Sequence, residues 1–136
     1  MNESVVPPLK LSVLPGRFAV CGLPAGSTLP TWFQPRPFAT ASWAMDELSL
    51  VCAQEQVPAD VLARCERDWC CLMLHGPIPF QSTGILFRIL QPLAAAGIGI
   101  FAISTFDTDY VLVKEASREA AIAALVDDGH RVMDRN

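Results

Sequence analysis

The chain has 136 residues, a formal net charge of −4 and hydrophobic residues at 51% of its positions. That length allows one domain, or two modules too small to stand comfortably alone, and the hydrophobic share excludes a disordered chain. The basic residues Lys10, Arg17, Arg36, Arg64, Arg67 and Arg88 are scattered and form no stripe, which argues against nucleic-acid binding.

The longest apolar run, LAAAGIGIFAI at 93–103, is too short to span a bilayer. The N-terminus lacks a secretory pattern, so a soluble cytoplasmic protein with no membrane association is expected. The 5 cysteines include the adjacent pair Cys70-Cys71 and have no metal-ligand spacing. Buried reduced thiols are expected, with no metal and no cofactor.

In chain order, LKLSVL (9–14) and RFAVCGL (17–23) flank the turn dipeptide Pro15-Gly16 and predict a hairpin. The following stretch to residue 37 carries Pro24, Pro30, Pro35 and Pro37, which forbid a long helix or a central strand. FATASWAM (38–45) and LSLVCA (48–53) predict a second hairpin around Asp46-Glu47. Val57 to Asp68 suits a short helix with Pro58 at its start.

WCCLMLHG (69–76) is apolar on both faces and predicts a buried strand. QSTGILFRILQPLAAAG predicts a helix. Ser82 or Gln81 stands at its start, Ile85, Ile89 and Leu93 form one stripe, and Gly97 stops it. Pro92 inside it removes the hydrogen bond to the Arg88 carbonyl. IGIFAIS (98–104) and DYVLVK (109–114) are the next strands. Ser117 is expected to cap a second helix with Ile122 and Leu125 inward and Gly129 as its stop, and HRVM (130–133) gives a last strand.

The order strand, helix, strand, strand, helix, strand is the split βαβ arrangement. It predicts an α+β fold, a ferredoxin-like antiparallel sheet with both helices on one face. Residues 1–66 show a similar strand count and poor helices, so they read as a degenerate module before a regular one at 67–136. Half-length modules would each be marginal, which favours packing on one another or on a second chain.

Two places carry chemistry. A helix beginning near Ser82-Thr83-Gly84-Ile85 presents free backbone N–H groups and partial positive charge, which suits a carboxylate or phosphate. The bland alternative is that Ser82 merely caps its own helix. The second place is ISTFDTDYVLV, 103–113. Asp107 is explained as a turn residue, but Asp109 opens a strand, where aspartate is depleted. Its carboxylate must be solvated, paired with a cation or used by a ligand. Together the two places match a zwitterionic amino acid. Within one module the two need not lie side by side, and a neighbouring module or subunit could bring them together. A catalytic alternative assembles Cys70 or Cys71 with His75 and Asp109 as nucleophile, base and orienting acid; inert packing of the cysteines is the simpler reading.

The stretch from GPIPFQSTGIL through ISTFDTDYVLVKEASREAAIAAL resembles an ACT domain, a small regulatory module that binds amino acids. With LPGRFAVCGL, the Pro-rich stretch ending in Trp32, and MDELSLVC, the whole chain resembles small bacterial proteins with two tandem ACT-like modules. Aspartate kinase regulatory regions and a cytosolic arginine sensor are relatives of that group. The resemblance implies ligand contacts from Thr83, Gly84, Ile85, Thr105, Phe106 and Asp109, with Asp109 taking a cationic side chain or an α-amino group. It implies a homodimer, because the sensor has four modules in one chain. Ala44 departs from the threonine often found before the acidic pair.

The expected function is therefore non-catalytic binding of a free amino acid, a basic one included, that regulates a separate protein partner. The alternatives are a scaffold module with a vestigial pocket and a cysteine-dependent enzyme.

Overall fold

The structure, a computed structural model, describes residues 7–79 and 83–134, the side chains of residues 62 and 63 excepted. Along the chain come β1 (Lys10–Val13), β2 (Phe18–Pro24), β3 (Thr40–Trp43), β4 (Glu47–Ala53), β5 (Cys65–Leu74), α1 (Ile85–Ala95), β6 (Ile100–Ser104), β7 (Asp109–Lys114), α2 (Arg118–Asp127) and β8 (Arg131–Met133). Short 3-10 turns occupy Gln54–Gln56, Ala59–Arg64 and Glu115–Ser117.

Contacts divide the chain into two units. Residues up to Val13 join those from Cys71 onward in a C-terminal unit, and Leu14–Cys70 form an inserted unit. The boundary expected between residues 66 and 67 thus falls inside β5, and the start of the chain belongs with its end. Strand pairing is the cause. β1 runs antiparallel to β5, with Leu11 opposite Leu74, and parallel to β8, with Leu11 opposite Val132. The hairpin expected between β1 and β2 does not form. Pro15-Gly16 makes a turn, but each strand finds its partners elsewhere: β2 lies between β4 and β5.

In the C-terminal unit the strands lie in the order β6-β7-β5-β1-β8. Without β1 this is the strand order of a βαββαβ module, and α1 and α2 pack against each other. Ile89 and Leu93 of α1, Ala121 and Leu125 of α2, and Leu11, Leu72, Leu74 and Val111 of the sheet are buried. Each such aliphatic side chain of Leu, Ile or Val size contributes roughly 1.5–3 kcal/mol on leaving water. Ile85 is only half-buried.

Both helices end as the glycines require. Gly97 and Gly129 adopt positive φ, and the next residues, Ile98 and His130, donate backward to Leu93 and Leu125 at 3.0 Å each. The α1 start differs from the expected serine cap. Gly84, at φ 76°, is the cap residue and has no side chain to offer; Gln81 and Ser82 lie outside the described residues. Ser117 does not cap α2 through its side chain either, and the Arg118 N–H donates to the Glu115 carbonyl of the preceding 3-10 turn.

Pro92 lies inside α1 and frees the Arg88 carbonyl, as its missing N–H dictates. His130, buried at 5% exposure, occupies that gap: its Nε2 lies 3.2 Å from the Arg88 oxygen. Its Nδ1 accepts the Leu9 N–H at 3.2 Å, so Nε2 is the nitrogen that carries the proton. One histidine thereby ties a helix defect to the strand-entry residue of β1.

The inserted unit has the order β3-β4-β2-β5, and no α-helix occurs among its described residues. The sheet buries Ala19, Cys21, Leu48, Leu50 and Cys52, and Trp32 and Phe33 from the Pro-rich stretch pack on that cluster where a helix face would otherwise lie. The short helix expected over Val57 to Asp68 is a 3-10 turn that stops at Arg64, and β5 begins at Cys65. A register shift between β2 and β5 follows. There Asp68 takes φ 64°, its N–H donating to Gln54 Oε1 at 2.5 Å while its carboxylate accepts from Gln54 and Arg17.

The cysteines also differ from expectation. Cys21 and Cys65 are register partners on β2 and β5 and form a disulfide, across a sequence separation of 44. Cys52, Cys70 and Cys71 are buried and take no part in a disulfide.

Candidate functional site

The two places singled out in the sequence meet within the C-terminal unit, with no second module or subunit required. They line one cavity of about 260 Å³. Ile78, Pro79 and Gly84 come from the connection between β5 and α1, Ile85 and Leu86 from the first turn of α1, Ser104 and Asp109 from the adjoining ends of β6 and β7, and Thr105, Phe106 and Thr108 from the turn between them.

The turn is held from both sides. Thr105 N–H and its hydroxyl both donate to the Thr108 carbonyl, at 2.8 and 3.1 Å. The buried Thr108 hydroxyl donates to the Leu74 carbonyl at 2.7 Å, and the Asp107 carbonyl accepts from Ile78 N–H at 2.7 Å. Gly76 makes this approach feasible. A Cβ there would lie 2.9 Å from the Asp107 oxygen and 3.1 Å from Thr108 Cβ, closer than a side chain tolerates. Asp107 itself is exposed and serves the turn through its backbone.

Asp109 is half-buried and is the only charged residue lining the cavity among the described residues. Among the described residues its carboxylate has one partner, the Ser104 hydroxyl, which donates to Oδ1 at 2.5 Å. No described cation pairs with it. Facing it is the α1 start, whose first-turn N–H groups have no carbonyl one turn back in the helix. Arg88 N–H is the first to reach back, to the Gly84 carbonyl at 3.1 Å. The cavity therefore offers a positive helix end and a lone carboxylate. Phe106 stands beside them with 78% of its surface exposed.

Of the expected site residues, Gly84, Ile85, Thr105, Phe106 and Asp109 line this cavity. Thr83 is exposed and does not line it, and Ser82 lies outside the described residues. Sequence reasoning missed Ile78, Pro79, Leu86, Ser104 and Thr108. Only Ser104 had a usable signal, because the final residues of two strands joined by a four-residue turn face each other.

The cysteine relay is not assembled. His75 Nε2 lies 2.6 Å from the Ser12 hydroxyl, and Asp109 bonds Ser104. Cys70 and Cys71 are 1% and 0% exposed, and burial pushes the Cys52 thiol up to about 11, away from the reactive thiolate. A wider cleft of about 410 Å³ on the inserted unit is lined in part by Arg17, Gln54, Glu55 and Arg67, a mixture of both charges in which Arg17 already pairs with Asp68.

Residues 64–127, which include every described residue of the cavity, match the ACT domain family. Residues 64–127 of the chain are an ACT domain. Residues 16–60 match a separate model described as an N-terminal domain. Protein Atu0741 from Agrobacterium tumefaciens, known from a crystal structure, is 35% identical, with a TM-score of 0.89 over 96% of both chains. The cytosolic arginine sensor for mTORC1 subunit 1 from Homo sapiens is 36% identical over 75 residues, which are 53% of this chain and 23% of the sensor. This chain thus spans under a quarter of the curated relatives it matches. The regulatory subunit of aspartate kinase from Thermus thermophilus shares the fold at 14% identity, with a TM-score of 0.58 over 88% of this chain and 97% of the subunit. No helix among the described residues of this ACT-domain protein is long and apolar enough to cross a membrane.

Proposed function

We propose that this chain is a non-catalytic sensor that binds a free amino acid in the cavity of its ACT domain. The carrying observation is Asp109, the one charge among the described lining residues, with no described cation paired with it and the start of α1 in the same lining. The ligand α-carboxylate lies toward the first turn of α1, where Gly84 leaves the backbone approachable, and its cationic group meets Asp109. A basic amino acid fits the charge pattern best, and arginine is the first candidate because a relative is an arginine sensor. Ile85, Thr105 and Phe106 complete the contacts on this reading.

Occupancy regulates a separate protein partner in the cytoplasm. The inserted unit acts as the degenerate first module of the tandem, and two copies pair through exposed sheet edges. β6, which has β7 as its only described neighbour, supplies such an edge. Sedimentation at micromolar concentration should give a dimer mass. The binding reading is tested by thermal shift across all twenty amino acids, since a ligand of the native state raises the midpoint with its concentration. A basic amino acid should respond most. Silence from all twenty would leave the scaffold reading, for which exposed Phe106 and Phe87 are the supporting observation.

A further inference from the structure

Among the described residues three hydroxyls line the cavity, and they do different jobs. Thr105 and Thr108 each spend theirs on a backbone carbonyl, that of Thr108 and that of Leu74, and so build the turn. Ser104 alone turns its hydroxyl onto the carboxylate of Asp109. The two residues are register partners on β6 and β7, the last pair before the turn, so their side chains stand on the same face.

We propose that Ser104 is a positioning residue for cation recognition: its hydroxyl fixes the Asp109 carboxylate through Oδ1 and leaves Oδ2 directed to the ligand. This rests on the amino-acid-binding reading above and adds the element that makes the site selective for a cationic group. A carboxylate at a strand mouth with no other described partner is free to change rotamer, and ordering it on binding would cost affinity. Ser104 removes that cost before the ligand arrives. The hairpin β3–β4 has the same turn, with Ala44 N–H donating to the Glu47 carbonyl at 2.8 Å, but its last pair is Trp43 with Leu48. Trp43 directs its indole N–H to the Ser27 carbonyl instead. The inserted unit thus lacks the donor and the acceptor together.

The test is calorimetric titration of the full chain with L-arginine and L-lysine, using Ser104→Ala, Ser104→Thr, Asp109→Asn and the Ser104→Ala/Asp109→Asn double variant. Ser104→Ala should weaken binding about three- to tenfold, as expected for one hydrogen bond to a charged group in a half-exposed site. Ser104→Thr, which keeps the donor, should stay within about twofold of the wild type. The double variant should bind as Asp109→Asn does, because the hydroxyl acts only through that carboxylate. Ser104 is exposed, so thermal midpoints without ligand should coincide. Wild-type affinity in Ser104→Ala, or losses that multiply in the double variant, would overturn the positioning role while Asp109→Asn still reports on the site. A wild-type chain silent to both ligands would overturn the inference together with the cationic-ligand reading.

Discussion

The hairpins β3–β4 and β6–β7 are the same turn put to two uses. Each closes with an N–H to carbonyl bond of 2.8 Å across four residues. Ala44, Met45, Asp46 and Glu47 stand in one where Thr105, Phe106, Asp107 and Thr108 stand in the other. At the first position of the following strand-pair partner, Leu48 is fully buried and Asp109 is half-exposed beside a cavity. The backbone therefore does not make the site. The site is made where the register pair is Ser–Asp and the turn is clamped by Thr108 and Gly76, and it is absent where the pair is Trp–Leu.

The most severe way to break that comparison is to give the inserted unit the missing carboxylate. Leu48→Asp would bury an unpaired charge in the cluster around Leu50 and Cys52. Denaturant unfolding should show a loss of about 4 kcal/mol or more. A variant as stable as the parent would mean that this hairpin is as permissive as its counterpart. Next comes Asp109→Asn, which keeps the shape and removes the charge. Affinity for a basic amino acid should fall by roughly 1.5–3 kcal/mol by calorimetry, and unchanged affinity would exclude Asp109 as the cation contact.

Gly76→Ala tests the clamp. The added methyl meets backbone and a short side chain, so a loss of about 1–3 kcal/mol in folding stability is expected, with a parallel loss of ligand affinity as the turn is pushed out. The smallest effect concerns a second aspartate, this one exposed. Asp68 is answered where Asp109 is not: the Gln54 amide and then the Arg17 guanidinium hold its carboxyl below the usual range. A depressed folded-state value means that its contribution is present above the unfolded value and is lost as pH falls through the acid range. Acid titration of stability should therefore show a shallow extra slope below about pH 4 that Asp68→Asn lacks. It should be small, because the pair is exposed.

Much of this was legible along the chain. The periodicity around Ile89 and Leu93, the stops at Gly97 and Gly129, and the hairpin from Thr40 to Ala53 are local signals, and the structure follows them. So is the misfit of Asp109 at a strand mouth. What was not legible is long-range. Pro15-Gly16 announces a hairpin, yet β1 pairs with β8 at the far end of the chain, and no local signal encodes that choice. The Cys21–Cys65 pair depends on the register between β2 and β5. The polar start of β5, Cys65 to Asp68, reads as helix because its irregularity is absorbed by Gln54 from another segment. Ser104 looks like any strand-end serine until its partner across the turn is known.

The position of β1 has a consequence for how the molecule can be cut and rebuilt. Val13 lies opposite Leu72 on adjacent antiparallel strands, about 5 Å apart at their Cα atoms. The chain leaves the C-terminal unit at Val13 and re-enters it next door at Cys71, so residues 14–70 are, topologically, the loop of one long hairpin. A tight two-residue connection spans that gap. The C-terminal unit can thus be rebuilt as a minimal protein by shortening a loop, whereas severing the chain after residue 66 would strip it of an internal strand and leave β8 without its described neighbour.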